Sequence, residues 1–154
     1  MEGLAQRWPE WCKDGYTITT DPARLDLEVI HRYLSEESYW ARGIPRAVCE
    51  RSVRNSLNFA LLHGTRQIGF ARIISDLATI AYLGDVFIVP EYRGQGLGKW
   101  LIECVVSHPC LQGLRRWILG TADAHGLYER FGFARLNAPE RFMEKHDPAA
   151  YRSG

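Results

Sequence analysis

Apolar residues recur at two different spacings along the chain, and the changes of spacing divide it into predicted strands and helices. Alternating or β-branched runs predict strands, and apolar positions three or four residues apart predict helices. The predicted strands are residues 16–19, 58–63, 68–75, 79–89 and 114–121, one beginning at Phe133, and a short one at 142–145. The predicted helices are residues 23–34, 46–56, 100–108 and, as a short one, 123–131.

The order of these elements predicts how they are layered. A strand and two helices come first, an antiparallel run of strands follows, and helix, strand, helix and strand then alternate. This order is typical of an α/β fold in three layers, in which helices cover both faces of a mixed, mostly antiparallel sheet. No repeat, low-complexity tract or linker-like change of composition interrupts the chain, so we expect a single domain over residues 1–154.

Composition and charge exclude several classes of function. The 154 residues are 46% apolar and 24% charged, as in ordinary globular proteins, and the formal net charge is +1. So small a charge provides no global field that would attract nucleic acid or an anionic membrane, and we expect neither as a partner. Any site for an anion must therefore be local.

Cysteine spacing and the lengths of the apolar runs indicate the compartment. The four cysteines form neither a CxxC pair nor a regular framework, so we expect reduced thiols and no metal site. Charged residues interrupt the first 15 positions, which breaks any signal-peptide core. No apolar run approaches the roughly 20 residues that span a bilayer. A cytoplasmic protein is the expectation.

Three glycines at alternate positions, Gly94, Gly96 and Gly98, follow a predicted strand and precede a predicted helix. There, several backbone N–H groups and the positive end of the helix dipole point at one place, which suits a phosphate. Arg93 and Lys99 add fixed charge on either side. The triphosphate loop GxxxxGKS/T and the dinucleotide fingerprint GxGxxG have other spacings, which leaves another phosphate compound, or a loop that only connects.

The run from Arg93 to Gly98, preceded by VFIVPEY, resembles the acyl-CoA pyrophosphate loop of the GNAT superfamily of N-acyltransferases. The pattern there is Gln or Arg, two residues, Gly, one residue, and Gly or Ala. Further along, AHGLYERFGF at residues 124–133 resembles the second hallmark of that family, and QIGFARI at residues 67–73 resembles its preceding central strands. The resemblance covers roughly residues 58–135.

The resemblance implies that acetyl-CoA is the co-substrate, without a metal, and that it lies where two parallel strands splay apart, here residues 81–89 and 114–120. Pantetheine would pair with backbone groups like an added strand, and N–H groups of the glycine loop would hold the pyrophosphate. The residues assigned to the cofactor in this way are Phe87, Ile88, Val89, Arg93, Gly94, Gln95, Gly96, Leu97, Gly98, Lys99 and Thr121. Thr121 departs from the family pattern, because many members have asparagine there.

The implied activity is an acetyl-CoA-dependent N-acetyltransferase that acts on a primary amine of a small molecule or peptide by direct attack. Such a transfer needs a neutral amine, a stabilised oxyanion and a proton for the leaving thiolate. Tyr128 matches the tyrosine that supplies this proton in the family, and the alternative is an ordinary packed tyrosine. The oxyanion donor would be a backbone N–H within residues 87–89.

Asp85 is a candidate catalytic residue with two possible roles. Facing a substrate groove, it could bind a cationic substrate or accept a proton through water; otherwise it would pair with an arginine such as Arg72 on the neighbouring strand. His125 is a second candidate base, or a solvated or capping histidine. Tyr39 and Trp40, between the first two predicted helices, would shape the acceptor site or else anchor the core.

Other interpretations stay open beside this one. The same loop fits a non-catalytic acyl-CoA-binding module that senses or regulates, whereas a nucleotide-binding protein would need a hydroxyl after Lys99. Gly126 inside a predicted helix costs about 1 kcal/mol relative to alanine, which indicates close packing against the cofactor or a neighbour. A monomer and a homodimer both agree with these motifs.

Overall fold

A computed structural model describes residues 8–152, which form six strands and four α-helices. The strands are β1 (Glu10–Lys13), β2 (Tyr16–Thr19), β3 (Leu57–His63), β4 (Arg66–Ser75), β5 (Ile80–Ile88) and β6 (Arg116–Leu119). The α-helices are α1 (Leu27–Arg32), α2 (Arg46–Arg54), α3 (Leu97–Val106) and α4 (His125–Glu129). A π-helical turn, Tyr33–Glu37, extends α1, and short 3-10 turns lie at Pro22–Arg24, Pro90–Tyr92, Pro109–Leu111 and Pro139–Arg141.

The strands form one sheet in chain order, from β1 to β6. Every neighbouring pair is antiparallel except β5 and β6, which are parallel. Asp14 and Gly15 join β1 to β2 with positive φ angles of 51° and 83°, as a two-residue hairpin turn requires. The mixed, mostly antiparallel sheet predicted from the sequence is confirmed.

Strands β5 and β6 pair along only part of their length. Their register runs from Ile80 opposite Arg116 to Leu83 opposite Leu119, and β5 then continues to Ile88 without this partner. On its other edge β5 stays paired with β4, although Asp85 and Val86 together oppose one residue of β4 in a β-bulge. The two parallel strands therefore separate beyond Leu83, and a gap opens between them.

Helices cover both faces of the sheet at the end of β5. The ring of Tyr33, in the turn after α1, stacks on Phe87 at 4.0 Å, with 7° between the ring planes. On α3, a Cβ added to Gly98 would lie 3.9 Å from the side chain of Ile88. Because adjacent residues of a strand point to opposite faces, α1 and α3 lie on opposite sides. The core between these layers is continuous and includes Phe59, Phe70, Ile73, Leu83 and Leu101.

Three details of the predicted elements are wrong. The helix predicted at 23–34 is split, because Asp21 and Asp26 each accept hydrogen bonds from following N–H groups and start separate turns. No strand begins at Phe133 or lies at 142–145 within the described part of the chain; Phe133 instead packs against Trp117 with centroids 6.2 Å apart, and a proline turn follows. Strand β1 was not predicted, since its exposed residues hide the alternation.

Candidate active site

The gap between β5 and β6 opens into a cavity of about 680 Å³. Three segments supply most of its wall: the loop between α1 and α2, the bulge of β5, and the loop that joins β6 to α4. The residues with polar side-chain groups on this wall include Tyr39, Trp40, Asp85, Thr121, Asp123 and Tyr128. The structure thus brings both predicted catalytic residues and both predicted acceptor-site residues to one cavity.

Tyr128 is the buried phenol of this wall. It lies on α4, is 8% exposed, and packs edge-on against Phe133 with ring centroids 5.9 Å apart. Within residues 8–152 its hydroxyl has no hydrogen-bond partner. Burial, with smaller contributions from Tyr39 and Asp123, raises the pKa of Tyr128 to about 12. The hydroxyl is therefore protonated at neutral pH and free to donate into the cavity.

Asp85 is fixed by two partners at the bulge. Its backbone has a φ of 54°, and its side chain is 10% exposed. The Nε of Arg72 donates to Oδ2 at 2.7 Å, and the indole Nε1 of Trp40 donates to Oδ1 at 2.8 Å. Asp85 thus both lines the cavity and forms the ion pair that the sequence offered as an alternative, and Arg72 neutralises its charge.

Tyr39 and Trp40 are cavity walls rather than core anchors, because they are 59% and 41% exposed. Their rings meet edge to face at 5.0 Å. The N–H of Ala122 donates to the hydroxyl oxygen of Tyr39 at 3.0 Å, while Trp40 reaches Asp85. Ser38 holds this loop from below, since it donates to Leu34 and accepts from Ala41. The pair therefore connects the α1–α2 loop to both sides of the gap.

Two of the three loop glycines are required by backbone conformation. Gly94 and Gly96 have φ angles of 80° and 78°, and Gly96 is the N-cap of α3. An added Cβ at either position would meet nothing within 4 Å in the described structure. The loop is open on that side, and the first N–H groups of α3 face outward from it. Gly98 has an ordinary φ, and its Cβ position faces the side chain of Ile88 on β5 at 3.9 Å.

The charged residues beside the loop differ in their freedom. Arg93 donates from Nε to the carbonyl of Ile88 at 2.9 Å and from Nη2 to the hydroxyl of Tyr33 at 2.8 Å. It therefore anchors the loop to β5 and to the turn after α1. The hydroxyl of Tyr16 donates a hydrogen bond to Oε1 of Gln95 at 3.4 Å. Lys99 is exposed and makes no ion pair within residues 8–152.

The free edge of β5 differs from the predicted one. The N–H of Val89 donates to the carbonyl of Ile68 on β4 at 2.8 Å, so it does not face the gap. Because the direction of N–H groups alternates along an antiparallel strand, Phe87 also points toward β4, whereas Ile88 points into the gap. Val86 lies in the bulge, where this alternation is interrupted, and it also lines the cavity.

Thr121 and His125 lie at the start of α4. The hydroxyl of Thr121 accepts from the N–H of Ala124 at 3.1 Å, which closes the turn before the helix, and the residue also lines the cavity. His125 is exposed and lines a second cavity of about 380 Å³, which shares Thr121 and Tyr128 with the first. Within residues 8–152 no group of three or more His, Cys, Asp or Glu side chains is placed to hold a metal ion. In the same part of the chain, no helix is long and apolar enough to cross a membrane.

Comparisons with known proteins agree with one another. A family model described as the acetyltransferase (GNAT) domain matches residues 54–135. A candidate acetyltransferase of Gibberella zeae is 33% identical over 140 residues, which cover 77% of this chain and 78% of that protein. The crystal structure of a candidate GNAT-family acetyltransferase from Xanthomonas campestris is 48% identical, with a TM-score of 0.87, and covers 91% of this chain and 99% of its own.

A more distant structure shares the fold alone. It is a GNAT-family acetyltransferase from Elizabethkingia anophelis, solved with acetyl-CoA bound, and is 15% identical with a TM-score of 0.61. The match covers 86% of this chain and 88% of that one.

Proposed function

This chain belongs to the GNAT family of acetyltransferases, and from that premise we propose that it transfers an acetyl group from acetyl-CoA to a primary amine. The observation that carries the proposal is one juxtaposition. The gap between β5 and β6 has the open glycine loop at one end, and a protonated Tyr128 on the wall of its cavity.

The residues around the gap fit acetyl-CoA. The N–H of Ile88 is directed into the gap, so a carbonyl of pantetheine can pair with it as in an added strand. The N–H groups at the start of α3 and the exposed Lys99 provide donors and positive charge for a pyrophosphate. Gly94 and Gly96 let the backbone approach it without side chains in between. Arg93 supports the site indirectly, because both its bonds hold the loop.

Acetyl-CoA would supply an acyl group activated as a thioester. A backbone N–H at the bulged part of β5 would stabilise the negative charge that develops on the thioester oxygen. Tyr128 would donate a hydrogen bond to the leaving sulfur. With a pKa of about 12 against about 8.5 for an ordinary thiol, the phenol keeps its proton at the end of the reaction. The C–N bond forms as the C–S bond breaks, and the one proton that the amine nitrogen loses balances the one that the thiolate gains.

We assign Asp85 to positioning rather than to proton transfer. Both of its carboxylate oxygens already accept hydrogen bonds, and Arg72 balances its charge. The contribution of Asp85 is to fix Trp40 and Arg72 at the wall of the cavity.

Calorimetry and thiol release together test the proposal. We expect acetyl-CoA and CoA to bind, Mg-ATP not to bind, and a panel of primary amines to stimulate the release of CoA thiol from acetyl-CoA. Binding without release for any amine would instead favour the non-catalytic acyl-CoA-binding module. Failure of acetyl-CoA and CoA to bind would reject both functions.

A further inference from the structure

The charges around the 680 Å³ cavity leave one carboxylate without a counter-ion. The charged residues that line it are Arg72, Asp85 and Asp123. Arg72 and Asp85 neutralise each other through their 2.7 Å contact. Asp123 is exposed and, within residues 8–152, has neither an ion-pair nor a hydrogen-bond partner. The cavity wall therefore carries a net charge of one negative unit, located at Asp123.

The loop that carries Asp123 is held on both sides of this residue. On one side, the N–H of Ala122 donates to the hydroxyl of Tyr39 at 3.0 Å. On the other, the N–H of Ala124 donates to the hydroxyl of Thr121 at 3.1 Å. These bonds fix the backbone around the carboxylate at the start of the helix that carries Tyr128. The charge thus has a defined place beside the phenol proposed to act in catalysis.

Aromatic rings make up much of the remaining wall. Besides the buried Tyr128, four exposed rings line the same cavity, those of Tyr39, Trp40, Tyr82 and Tyr151, and their exposed fractions are 59%, 41%, 42% and 37%. Such a concentration of exposed aromatic surface is typical of a binding site. Aromatic faces also attract cations, so the rings and the carboxylate favour the same kind of ligand.

Resting on the proposed function, we propose that the acceptor is a cationic primary amine on an aromatic or apolar body, and that Asp123 recognises its ammonium group. The body of the acceptor packs among the four rings, and its nitrogen lies toward Tyr128. The bound ammonium loses one proton to solvent before the neutral nitrogen attacks the thioester. Asp123 repels acceptors that carry a phosphate or sulfate near the amine. The sequence offered the binding of a cationic substrate as one possible role of Asp85. We assign that role to Asp123 instead.

Kinetics with two contrasting probes test this assignment. Phenethylamine is cationic and aromatic, whereas glucosamine 6-phosphate is polar and anionic. We expect a higher kcat/KM for phenethylamine. Asp123→Asn should raise the KM for phenethylamine about tenfold to a hundredfold, as expected for loss of a hydrogen bond to a charged group, and leave kcat and the KM for acetyl-CoA within about a factor of two or three. Glu103→Gln, on the exposed face of α3 outside the cavity, is the matched control and should change neither.

A binding measurement separates this inference from the proposed function. Phenethylamine and its uncharged analogue 2-phenylethanol are titrated into the full chain, with and without saturating CoA. Asp123→Asn should weaken binding of phenethylamine but not of 2-phenylethanol. If that holds while no amine releases thiol, the site is supported and the acetyltransferase proposal fails.

Two results would overturn the inference. The first is turnover that favours glucosamine 6-phosphate, or that is unchanged in Asp123→Asn, which would leave the acetyltransferase proposal standing. The second is the absence of both binding and turnover for phenethylamine. A melting temperature equal to that of the original chain confirms that each variant is folded.

Discussion

At the scale of single residues, the cavity wall depends on a carboxylate with two partners. Asp85 has a positive φ, which is uncommon for a residue other than glycine, and its two oxygens bond Arg72 and Trp40. The side chains of Asp85 and Arg72 are 10% and 16% exposed, so solvent screens their interaction little. The ion pair therefore keeps the bulge, the α1–α2 loop and β4 together.

We expect Asp85→Asn to lower the free energy of unfolding by about 3 kcal/mol, because it leaves the Arg72 guanidinium largely buried without a counter-ion. Urea denaturation measures this difference. The control is Glu91→Gln, which breaks the exposed pair with Arg66 and should cost less than about 1 kcal/mol. Equal effects of the two substitutions would show that the pair at Asp85 has no structural role.

Tyr128→Phe removes only a hydroxyl that has no partner within residues 8–152. We therefore expect an unchanged fold and an acetyl-CoA dissociation constant within about a factor of two, but a kcat lower by about a hundredfold or more. Thiol-release kinetics measure kcat, and calorimetry measures the dissociation constant of acetyl-CoA. Full activity in this variant would remove Tyr128 from the mechanism.

At the scale of elements, the glycines separate into those that the backbone needs and those that it does not. Gly94 and Gly96 occupy the left-handed region at the start of α3. Gly126 lies in α4 with an ordinary φ, and an added Cβ would meet nothing within 4 Å among residues 8–152. Close packing of Gly126 against a neighbour in this part of the chain, which its sequence position indicated, is therefore not observed.

These environments predict opposite effects of the same substitution. Gly126→Ala should stabilise the protein by about 0.5 to 1 kcal/mol, because alanine favours the helix. Gly96→Ala should destabilise it by about 1 kcal/mol and weaken acetyl-CoA binding, because alanine disfavours a left-handed backbone. Urea denaturation and calorimetry give both quantities. If Gly126→Ala weakens acetyl-CoA binding while stabilising the free protein, the absent side chain makes room for the cofactor.

At the scale of the whole molecule, a buried histidine links the helix layer to the first strands. His108 follows α3, is 4% exposed, and contacts Trp11 of β1 and Phe59 of β3 at centroid distances of 6.4 and 5.6 Å. Its Nδ1 accepts from the N–H of Cys110 at 3.0 Å. Burial lowers the pKa of His108 below its ordinary value of 6.5.

Global stability should therefore depend on pH. Below about pH 6.5 the unfolded chain binds a proton at this histidine that the folded chain still excludes, so the free energy of unfolding falls as pH decreases from 7 to 5. The slope for one proton is at most about 1.4 kcal/mol per pH unit. Urea denaturation at several pH values measures it. His108→Asn keeps an acceptor and should flatten the slope, whereas exposed His125→Asn should not; equal slopes would contradict the assignment.

A second loss of stability is expected at lower pH. Hydrogen bonds from Thr79, Ala78 and Ile80 lower the pKa of Asp76 from its ordinary value. A depressed carboxyl pKa stabilises the fold above the unfolded value of about 4, and this contribution is lost as pH falls further.

The sequence by itself determined the elements and motifs whose information is local. The glycine loop, the strand before it and the Leu-Tyr motif of α4 each lie within one short stretch, and they indicated the family and the mixed sheet that the comparisons and the structure confirm. Such patterns can be read directly, because backbone conformation and the spacing of side chains on one element depend on neighbouring residues.

Only the tertiary structure decided which side chains meet at the cavity. Trp40 reaches Asp85 across 45 positions, and Tyr39 reaches Ala122 across 83. The register of β5 directs the N–H of Ile88 to the gap and that of Val89 away from it. Packing also pairs Asp85 with Arg72, so that Asp123 provides the net negative charge of the cavity wall. The physical reason is that ion pairs and strand edges are set by packing between distant segments, and no single stretch of sequence contains both partners.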